Sequence, residues 1–252
     1  MRFYKYQNLG NDFVILDNRD DGLSTGKSFV ERICDRHFGV GADGILYLEK
    51  DNVMRIFNPD GSEAEMCGNG ALCMARFMYE NGYAHEKEIS LQTKGGEVRL
   101  FIEGNKVREI MPTTEVKGME EIEIRDKRIE AMIVSVGNPH AVIFDQSQEV
   151  IALAPEIEGH RMFPEGTNVE FVRVVSPSFI ELTVFERGAG FTLACGTGAC
   201  ASVLSGHILN RLDDRVTVSL PGGRMVVETD GKMVSMSSEP REVFRGVIED
   251  DL

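Results

Sequence analysis

Apolar residues along this chain fall into two kinds of run. Short alternating or continuous stretches bounded by turn formers predict strands: NDFVILDN, GILYLEK and VMRIFN, then EISLQT, EVRLFIE and KVREIM, later HAVIFD, NVEFVRVV and FIELTVFE, and finally VTVSL, RMVVETD and KMVSM. Two longer runs predict helices, from about 67 to 81 and from about 195 to 211. The first is apolar almost all round, through Ala71, Leu72, Cys73, Met74, Ala75, Phe77 and Met78, and the second is small and apolar, through Ala199, Cys200, Ala201, Val203 and Leu204. A helix without a polar face has to be buried. The amphipathic stretches 26–37 and 147–153 read instead as surface helices, and 241–248 reads as a terminal strand.

The order of these elements repeats at half the chain's length. Cys67-Gly68-Asn69-Gly70-Ala71 recurs as Cys195-Gly196-Thr197-Gly198-Ala199 at an offset of 128, and each follows a phenylalanine that ends an apolar strand, Phe57 and Phe185. Gly10-Asn11 followed by Val14-Ile15-Leu16-Asp17 recurs as Gly137-Asn138 followed by Val142-Ile143-Phe144-Asp145, and Gly95-Gly96 recurs as Gly222-Gly223. Landmarks in the same order imply an internal duplication. The expected fold is therefore α/β of the α+β kind: two pseudosymmetric domains, each a mostly antiparallel sheet wrapped around a central buried helix. The halves are expected at 1–113, with 241–252 as a candidate extra strand, and at 114–240, with the active site in the cleft between them. The turn-rich MPTTEVKGM at 111–119 reads as the connection.

Composition narrows the function classes. Lys and Arg number 27 against 41 Asp and Glu, for a net charge of −14 over 252 residues. A surface this acidic repels a phosphate backbone, so nucleic-acid partners are disfavoured. The uncharged stretch 188–206 has the length of a membrane span, but its glycines and hydroxyls make it too polar, and it reads as a loop leading into a buried helix. No membrane partner is expected. The leading MRFYKYQNLGNDF places charge and aromatics where an export signal needs an apolar run, which reads as a cytoplasmic protein. The 5 cysteines are an odd number in such a chain, which argues for reduced thiols.

Two of those cysteines, Cys67 and Cys195, stand at the start of a buried helix in a Cys-Gly-x-Gly-Ala context. Glycines allow a tight turn, and a helix amino terminus offers open N–H groups and a positive potential, so a thiol there loses its proton more readily and a carboxylate can dock beside it. A pair of such sites facing one bound anion suits inversion at a carbon next to a carboxylate: one thiolate removes the α-proton and the opposite thiol returns one. A single cysteine before an apolar helix is more often a small buried hydrophobe, and that reading stands for Cys34, Cys73 and Cys200. Repetition of the whole pentapeptide reverses it for Cys67 and Cys195. The spacings Cys-x5-Cys and Cys-x4-Cys do not suit zinc, so no metal is expected. GVGADG at 39–44 matches a dinucleotide-binding pattern formally but follows a helix and precedes a strand, the reverse of the required order. No Walker motif or pyridoxal-phosphate lysine context is present either.

Taken together, Gly10-Asn11-Asp12-Phe13, Asp35-Arg36-His37 leading into GVGADG, Phe57-Asn58-Pro59-Asp60-Gly61-Ser62, Cys67-Gly68-Asn69-Gly70, Gly137-Asn138-Pro139-His140, Gly166-Thr167-Asn168, Glu186-Arg187-Gly188-Ala189-Gly190 and Cys195-Gly196-Thr197-Gly198-Ala199-Cys200 resemble the diaminopimelate epimerase family, nearly end to end. The resemblance implies a cofactor-independent two-base isomerase, a homodimer of two-domain chains, that interconverts LL- and meso-diaminopimelate on the route to lysine and peptidoglycan precursors. It assigns Cys67 and Cys195 as the acid/base pair. Backbone N–H groups of Gly68, Asn69, Gly196 and Thr197 would hold the reacting carboxylate, and Asn11 and Glu186 would meet the amine. Asn58, Asn138, Asn168 and Arg187 would read the distal amino acid end, Arg187 by a two-pronged contact. His140 and Glu186 would tune the cysteine acidities, although from sequence alone His140 serves equally as a hydrogen-bonded turn residue, and the asparagines as turn residues or caps. Two positions depart from the family pattern: Gly44 offers no side chain where some members carry glutamine, and Phe191 stands where glutamate is usual. Competing readings are a two-cysteine proline or hydroxyproline racemase, which has no need of the Arg187 and asparagine cluster, and a non-catalytic amino-acid-binding protein, which has no need of two thiols.

Overall fold

The computed structural model describes residues 1–20, 22–24, 26–111 and 114–249. In chain order the elements are β1 (Arg2–Asn8), β2 (Asn11–Asp17), α1 (Lys27–Cys34), β3 (Gly44–Leu48), β4 (Met54–Phe57), β5 (Glu63–Ala64), α2 (Gly68–Glu80), β6 (Glu88–Thr93), β7 (Gly96–Glu103) and β8 (Lys106–Ile110). There follow β9 (Glu115–Ile124), β10 (Lys127–Ser135), β11 (Pro139–Ile143), α3 (Gln148–Ile151), α4 (Ala154–Glu158), β12 (Asn168–Ser176), β13 (Phe179–Glu186), β14 (Gly190–Phe191), α5 (Gly196–Ile208), β15 (Arg215–Leu220), β16 (Gly223–Thr229), β17 (Val234–Ser238) and β18 (Arg241–Val247). The chain forms two compact units: residues 1–109 joined by the segment from Ser238 onward, and residues 110–237. The sequence-expected boundary at 113 and the last three residues of the expected 241–252 strand lie outside the described residues.

The first unit carries a sheet in the order β18-β1-β2-β3-β4-β5, in which only β2 and β3 run parallel, and the antiparallel meander β6-β7-β8. Both faces of the six-stranded sheet are covered. Val14, Leu16, Ile45 and Tyr47 cluster with Val30 and Ile33 of α1, whereas Tyr4 and Tyr6 turn to the other face and pack on Phe77 of α2 at ring distances of 4.8 and 6.0 Å. α2 is the central helix of this half, with residues Gly70 to Ala75 fully or almost fully buried.

The second unit repeats the plan. Its strands run β17-β16-β15-β13-β12-β11-β10-β9, with β14 on β13, and β11–β12 is the parallel counterpart of β2–β3. Ile129, Ala131, Ile133, Val169 and Phe171 cluster with Ile157 of α4. α5 covers the opposite face, packed on β10, β11, β12 and β16. The equivalence is residue-specific: Gly10 and Gly137 hold the positive φ of 83° and 84° that only glycine adopts freely, one residue before Asn11 and Asn138.

Differences from the sequence reading lie at the edges of elements. The segment 111–119 is not all connection, because β9 starts at Glu115; its apolar alternation is buried only at Ile122 and Ile124, so the strand is hidden in a polar run. β1 and β10 escape the pattern for the opposite reason, since burial on both faces erases the two-residue period of β1, in which even Lys5 is buried. The expected surface helix at 26–37 ends at Cys34, and the one expected at 147–153 shortens to α3, Gln148–Ile151, followed by a separate α4 that begins after Leu153 and has Pro in its first turn.

Candidate active site

Cys67 and Cys195 occupy the same structural position in their respective halves. Each is the N-cap residue, with extended φ/ψ of −149°/112° and −126°/112°, and each Sγ accepts the N–H three residues on, from Gly70 and Gly198, at 3.4 Å. A sulfur at this position takes one of the helix's unsatisfied donors and leaves the first N–H groups, those of Gly68 and Asn69 or of Gly196 and Thr197, directed out of the helix end. That is an anion site built by the backbone. The following turn is tightly packed: a Cβ on Gly198 would meet Cys195 Sγ at 3.3 Å and Glu170 Oε1 at 2.8 Å, and one on Gly70 would meet Leu46 Cδ2 at 3.1 Å.

In the first unit the polar shell of Cys67 is a chain of amides. Cys67 Sγ lies 3.9 Å from Asn11 Oδ1, which also accepts from Asn69 Nδ2 at 3.4 Å; Asn69 Oδ1 accepts from Asn8 Nδ2 at 2.9 Å, and Asn8 Oδ1 from Ser238 Oγ at 2.8 Å. Asn11 Nδ2 donates to Asp43 at 3.0 Å. A carboxylate only accepts, so Asp43 fixes this amide with its oxygen toward Cys67. Asp43 and Asp12 are bridged by Arg36, and Asp12 lies 2.6 Å from the buried ammonium of Lys5. Burial alone would push the Asp12 carboxyl up, but hydrogen bonds from Arg36 and Lys5 outweigh it and bring it down to about 2. Asn58, at the end of β4, is exposed and bonded to Ser62 Oγ at 3.0 Å, apart from this network.

In the second unit Cys195 is buried, with Thr197 Oγ1 at 3.5 Å from its sulfur. Burial pushes its thiol far up, the carboxylates of Glu186 and Glu170 push the same way, and bonds from Thr197 and Gly198 only partly oppose them. The sequence argument that a helix start favours the thiolate is thus reversed here, because desolvation disfavours the charge more than the helix end favours it. Asn138, His140 and Glu170 form a line: His140 Nε2 is 2.8 Å from Asn138 Oδ1, and Nδ1 is 2.7 Å from Glu170 Oε1. Asn168 Nδ2 donates to the Pro139 carbonyl at 2.9 Å, and Asn168 Oδ1 accepts the Arg187 N–H at 3.0 Å, so Asn138, Asn168 and Arg187 are tied together through the backbone. Glu186 Oε1 accepts from Thr192 Oγ1 at 2.5 Å. Among the described residues no group of three His, Cys, Asp or Glu side chains could hold a metal ion.

The profile of the family described as diaminopimelate epimerase matches residues 3–117 and 132–242. The chain belongs to the diaminopimelate epimerase family. Curated diaminopimelate epimerases from Microcystis aeruginosa and Pelotomaculum thermopropionicum are 42% and 41% identical to it, over 97% and 98% of this chain and 98% of each relative. Membership makes the chain an isomerase of the epimerase type. Among solved structures, a hydroxyproline epimerase from Agrobacterium vitis with bound trans-4-hydroxy-L-proline superimposes with a TM-score of 0.70 at 14% identity, covering 98% of this chain and 91% of that one. A PhzF-family phenazine biosynthesis protein from Bacillus anthracis gives 0.73 at 16%, covering 98% and 99%. At such identities the likeness shows the fold, which this epimerase family member shares with them.

Gly44 and Phe191 each have a local explanation. Gly44 pairs with Phe13 as Asn168 pairs with His140, so the two are counterparts. A Cβ at Gly44 would stand 2.7 Å from the Phe57 carbonyl oxygen, and only the second half places an amide at this register. Phe191 is exposed but packs its ring edge-on against Phe185 at 5.0 Å, while the neighbouring Thr192 supplies the hydroxyl that bonds Glu186. Sequence reasoning missed Asp43 and Glu170. Asp43 lies inside the glycine-rich run 39–44, which by itself matches only a misplaced nucleotide pattern and in the resemblance serves as a landmark that assigns Asp43 no role. Glu170 carried a usable signal, a lone acid in the apolar run NVEFVRVV, where a strand buried on both faces admits a charge only with a partner.

Proposed function

We propose that this chain interconverts LL- and meso-diaminopimelate by a two-base route in which Cys67 and Cys195 act on one α-carbon. The observation that carries the reading is the duplicated N-cap cysteine, together with membership of the family. One sulfur, as thiolate, takes the α-proton; the electron pair left on carbon delocalises into the adjacent carboxylate; the other sulfur, as thiol, protonates the opposite face. The N–H groups of Gly68, Asn69, Gly196 and Thr197 stabilise the negative charge that grows on that carboxylate. Asn11, with its oxygen fixed by Asp43, accepts from the α-ammonium, and Glu186 neutralises it. Asn58, Asn138, Asn168 and Arg187 read the distal amino acid end. Burial and two carboxylates hold Cys195 as the thiol, which suits it to wait as the proton donor. The pair needs neither metal nor pyridoxal phosphate, and His140 enters as a group that tunes the site.

Chiral chromatography tests this. Purified protein treated with chelator and free of pyridoxal phosphate is expected to convert LL-diaminopimelate to the meso form and to leave L-proline and trans-4-hydroxy-L-proline unchanged. Racemisation of the cyclic substrates, or dependence on an added cofactor, contradicts the reading. The same reading carries a cytoplasmic homodimer. Light scattering should give twice the chain mass of 28.0 kDa, and a monomer contradicts it.

A further inference from the structure

The duplication is broken beneath its two central helices. Beneath the first turn of α2 the sheet presents Phe13 and Leu46; at the matching positions beneath α5 it presents His140 and Glu170. The correspondence follows from register, because Phe13 pairs with Gly44 and Ile15 with Leu46 in one half, as His140 pairs with Asn168 and Val142 with Glu170 in the other. It follows again from the helices, since a Cβ on Gly70 would meet Leu46 and one on Gly198 would meet Glu170. All four side chains are buried, His140 and Glu170 fully. An ionisable pair replaced by well-packed apolar residues is often neutral or stabilising, and here the first half shows that the fold accepts the apolar pair. Stability does not explain the second half's choice.

What the pair does follows from counting its protons. Glu170 Oε2 meets no partner among the described residues, and burial pushes the Glu170 carboxyl up, with His140 partly opposing. An anionic carboxylate beside a neutral ring would leave one uncompensated charge in a dry core. A net-neutral pair holds one proton between Oε1 and Nδ1 and a second on Nε2. That Nε2–H then donates to Asn138 Oδ1 at 2.8 Å, which leaves the Asn138 Nδ2 group pointing away from the ring. Asn11, the counterpart of Asn138, is held the other way, with Nδ2 on Asp43 and Oδ1 outward toward Cys67. We propose that Glu170 is a positioning residue which, through His140, fixes Asn138 as a hydrogen-bond donor to an anionic substrate end, whereas Asp43 fixes Asn11 as an acceptor for an ammonium. The inference rests on the epimerase reading for its substrate, and it gives the two halves of a duplicated site different binding chemistry.

Two measurements on the intact protein test it. Long-range proton–nitrogen NMR of the ligand-free enzyme should show His140 Nε2 carrying hydrogen, and an unprotonated Nε2 overturns the proposal. This readout needs no substrate, so it decides the matter even if the epimerase reading fails. In steady-state epimerisation, Glu170→Leu should raise KM for LL-diaminopimelate by ~10-fold or more, a larger change than in kcat, the pattern of lost ground-state binding. Glu170→Gln, whose amide donates to Nδ1 and so preserves Nε2–H, should stay within ~3-fold of the parent in KM. If Glu170→Leu does not fold, the double variant His140→Phe with Glu170→Leu, which copies the apolar pair of the first half, should fold and show the same rise in KM. A folded apolar variant with unchanged KM, or a glutamine variant as impaired as the leucine one, overturns the proposal.

Discussion

Asp12→Asn probes how the first half braces its asparagine. Asp12 follows Asn11 in the chain and lies 2.6 Å from Lys5, whose side chain is 6% exposed, while the Asp12 side chain is 16% exposed. Lys5 also donates to the Gly41 carbonyl. The carboxyl's fall from 3.8 to about 2 corresponds to ~2 kcal/mol of folding stability at neutral pH, at 1.36 kcal/mol per unit. Because the folded value is the lower one, that stability is present above pH 4 and drains away as pH falls through about 2. Substitution costs more than protonation, since it leaves a buried ammonium without its counter-charge, and a loss of about 3–5 kcal/mol is expected. Urea unfolding at pH 7 measures it, and the parent repeated down to pH 2.5 should show the acid limb. The double variant Lys5→Met with Asp12→Asn should recover part of the loss, because it removes the stranded charge. A single-variant loss below ~1 kcal/mol, or a double variant worse than the single one, refutes the reasoning.

Other consequences follow from the same structure. Gly198→Ala should lower kcat/KM by ~10-fold or more at little cost in melting temperature, since its Cβ would press on Glu170 Oε1 at 2.8 Å, while Gly70→Ala, whose nearest neighbour is the flexible end of Leu46 at 3.1 Å, should be milder; steady-state kinetics compare the two. Phe77→Ala removes a fully buried ring packed on Tyr4, Tyr6 and Tyr83 and should cost about 3–5 kcal/mol in denaturant unfolding. Glu109 is buried with neither oxygen partnered among the described residues, and burial pushes its carboxyl up to about 8. A raised carboxyl contributes stability below its unfolded value of 4.5 that is lost as pH rises to about 8, so Glu109→Gln should flatten the decline in melting temperature between pH 5 and pH 8 seen by calorimetry. Iodoacetamide labelling read by mass spectrometry should find Cys195 slower than the same thiol in unfolded protein across pH 7–9, and Glu186→Gln should speed it.

The duplication was the most legible feature because it rests on residues whose chemistry cannot be exchanged. Gly10 and Gly137 need positive φ, Cys67 and Cys195 cap helices, and the helices behind them have no polar face. What the sequence concealed is where burial overrides local pattern. β1 is covered on both faces and shows no alternation, and β9 has an edge too polar to look like a strand. In the site, residue types near the cysteines were readable, but the direction of each amide was not. Asn11 and Asn138 occupy matching places in the repeat and are turned oppositely by Asp43 and by His140 with Glu170, and the Asn11–Asp43 and His140–Glu170 contacts join residues far apart in the chain, which sequence spacing does not reveal. The acidity of Cys195 was misjudged for a related reason, since a helix end is local and visible in sequence while desolvation depends on the whole unit.

The central claim is that two sulfurs, one from each half, serve a single carbon. Incubation with LL-diaminopimelate in deuterium oxide, followed by mass spectrometry and chiral separation, addresses it most directly. The intact enzyme should form meso-diaminopimelate carrying one α-deuterium, and Cys67→Ala and Cys195→Ala should each abolish conversion. Full epimerisation by either single variant, or meso product without deuterium, would contradict the account.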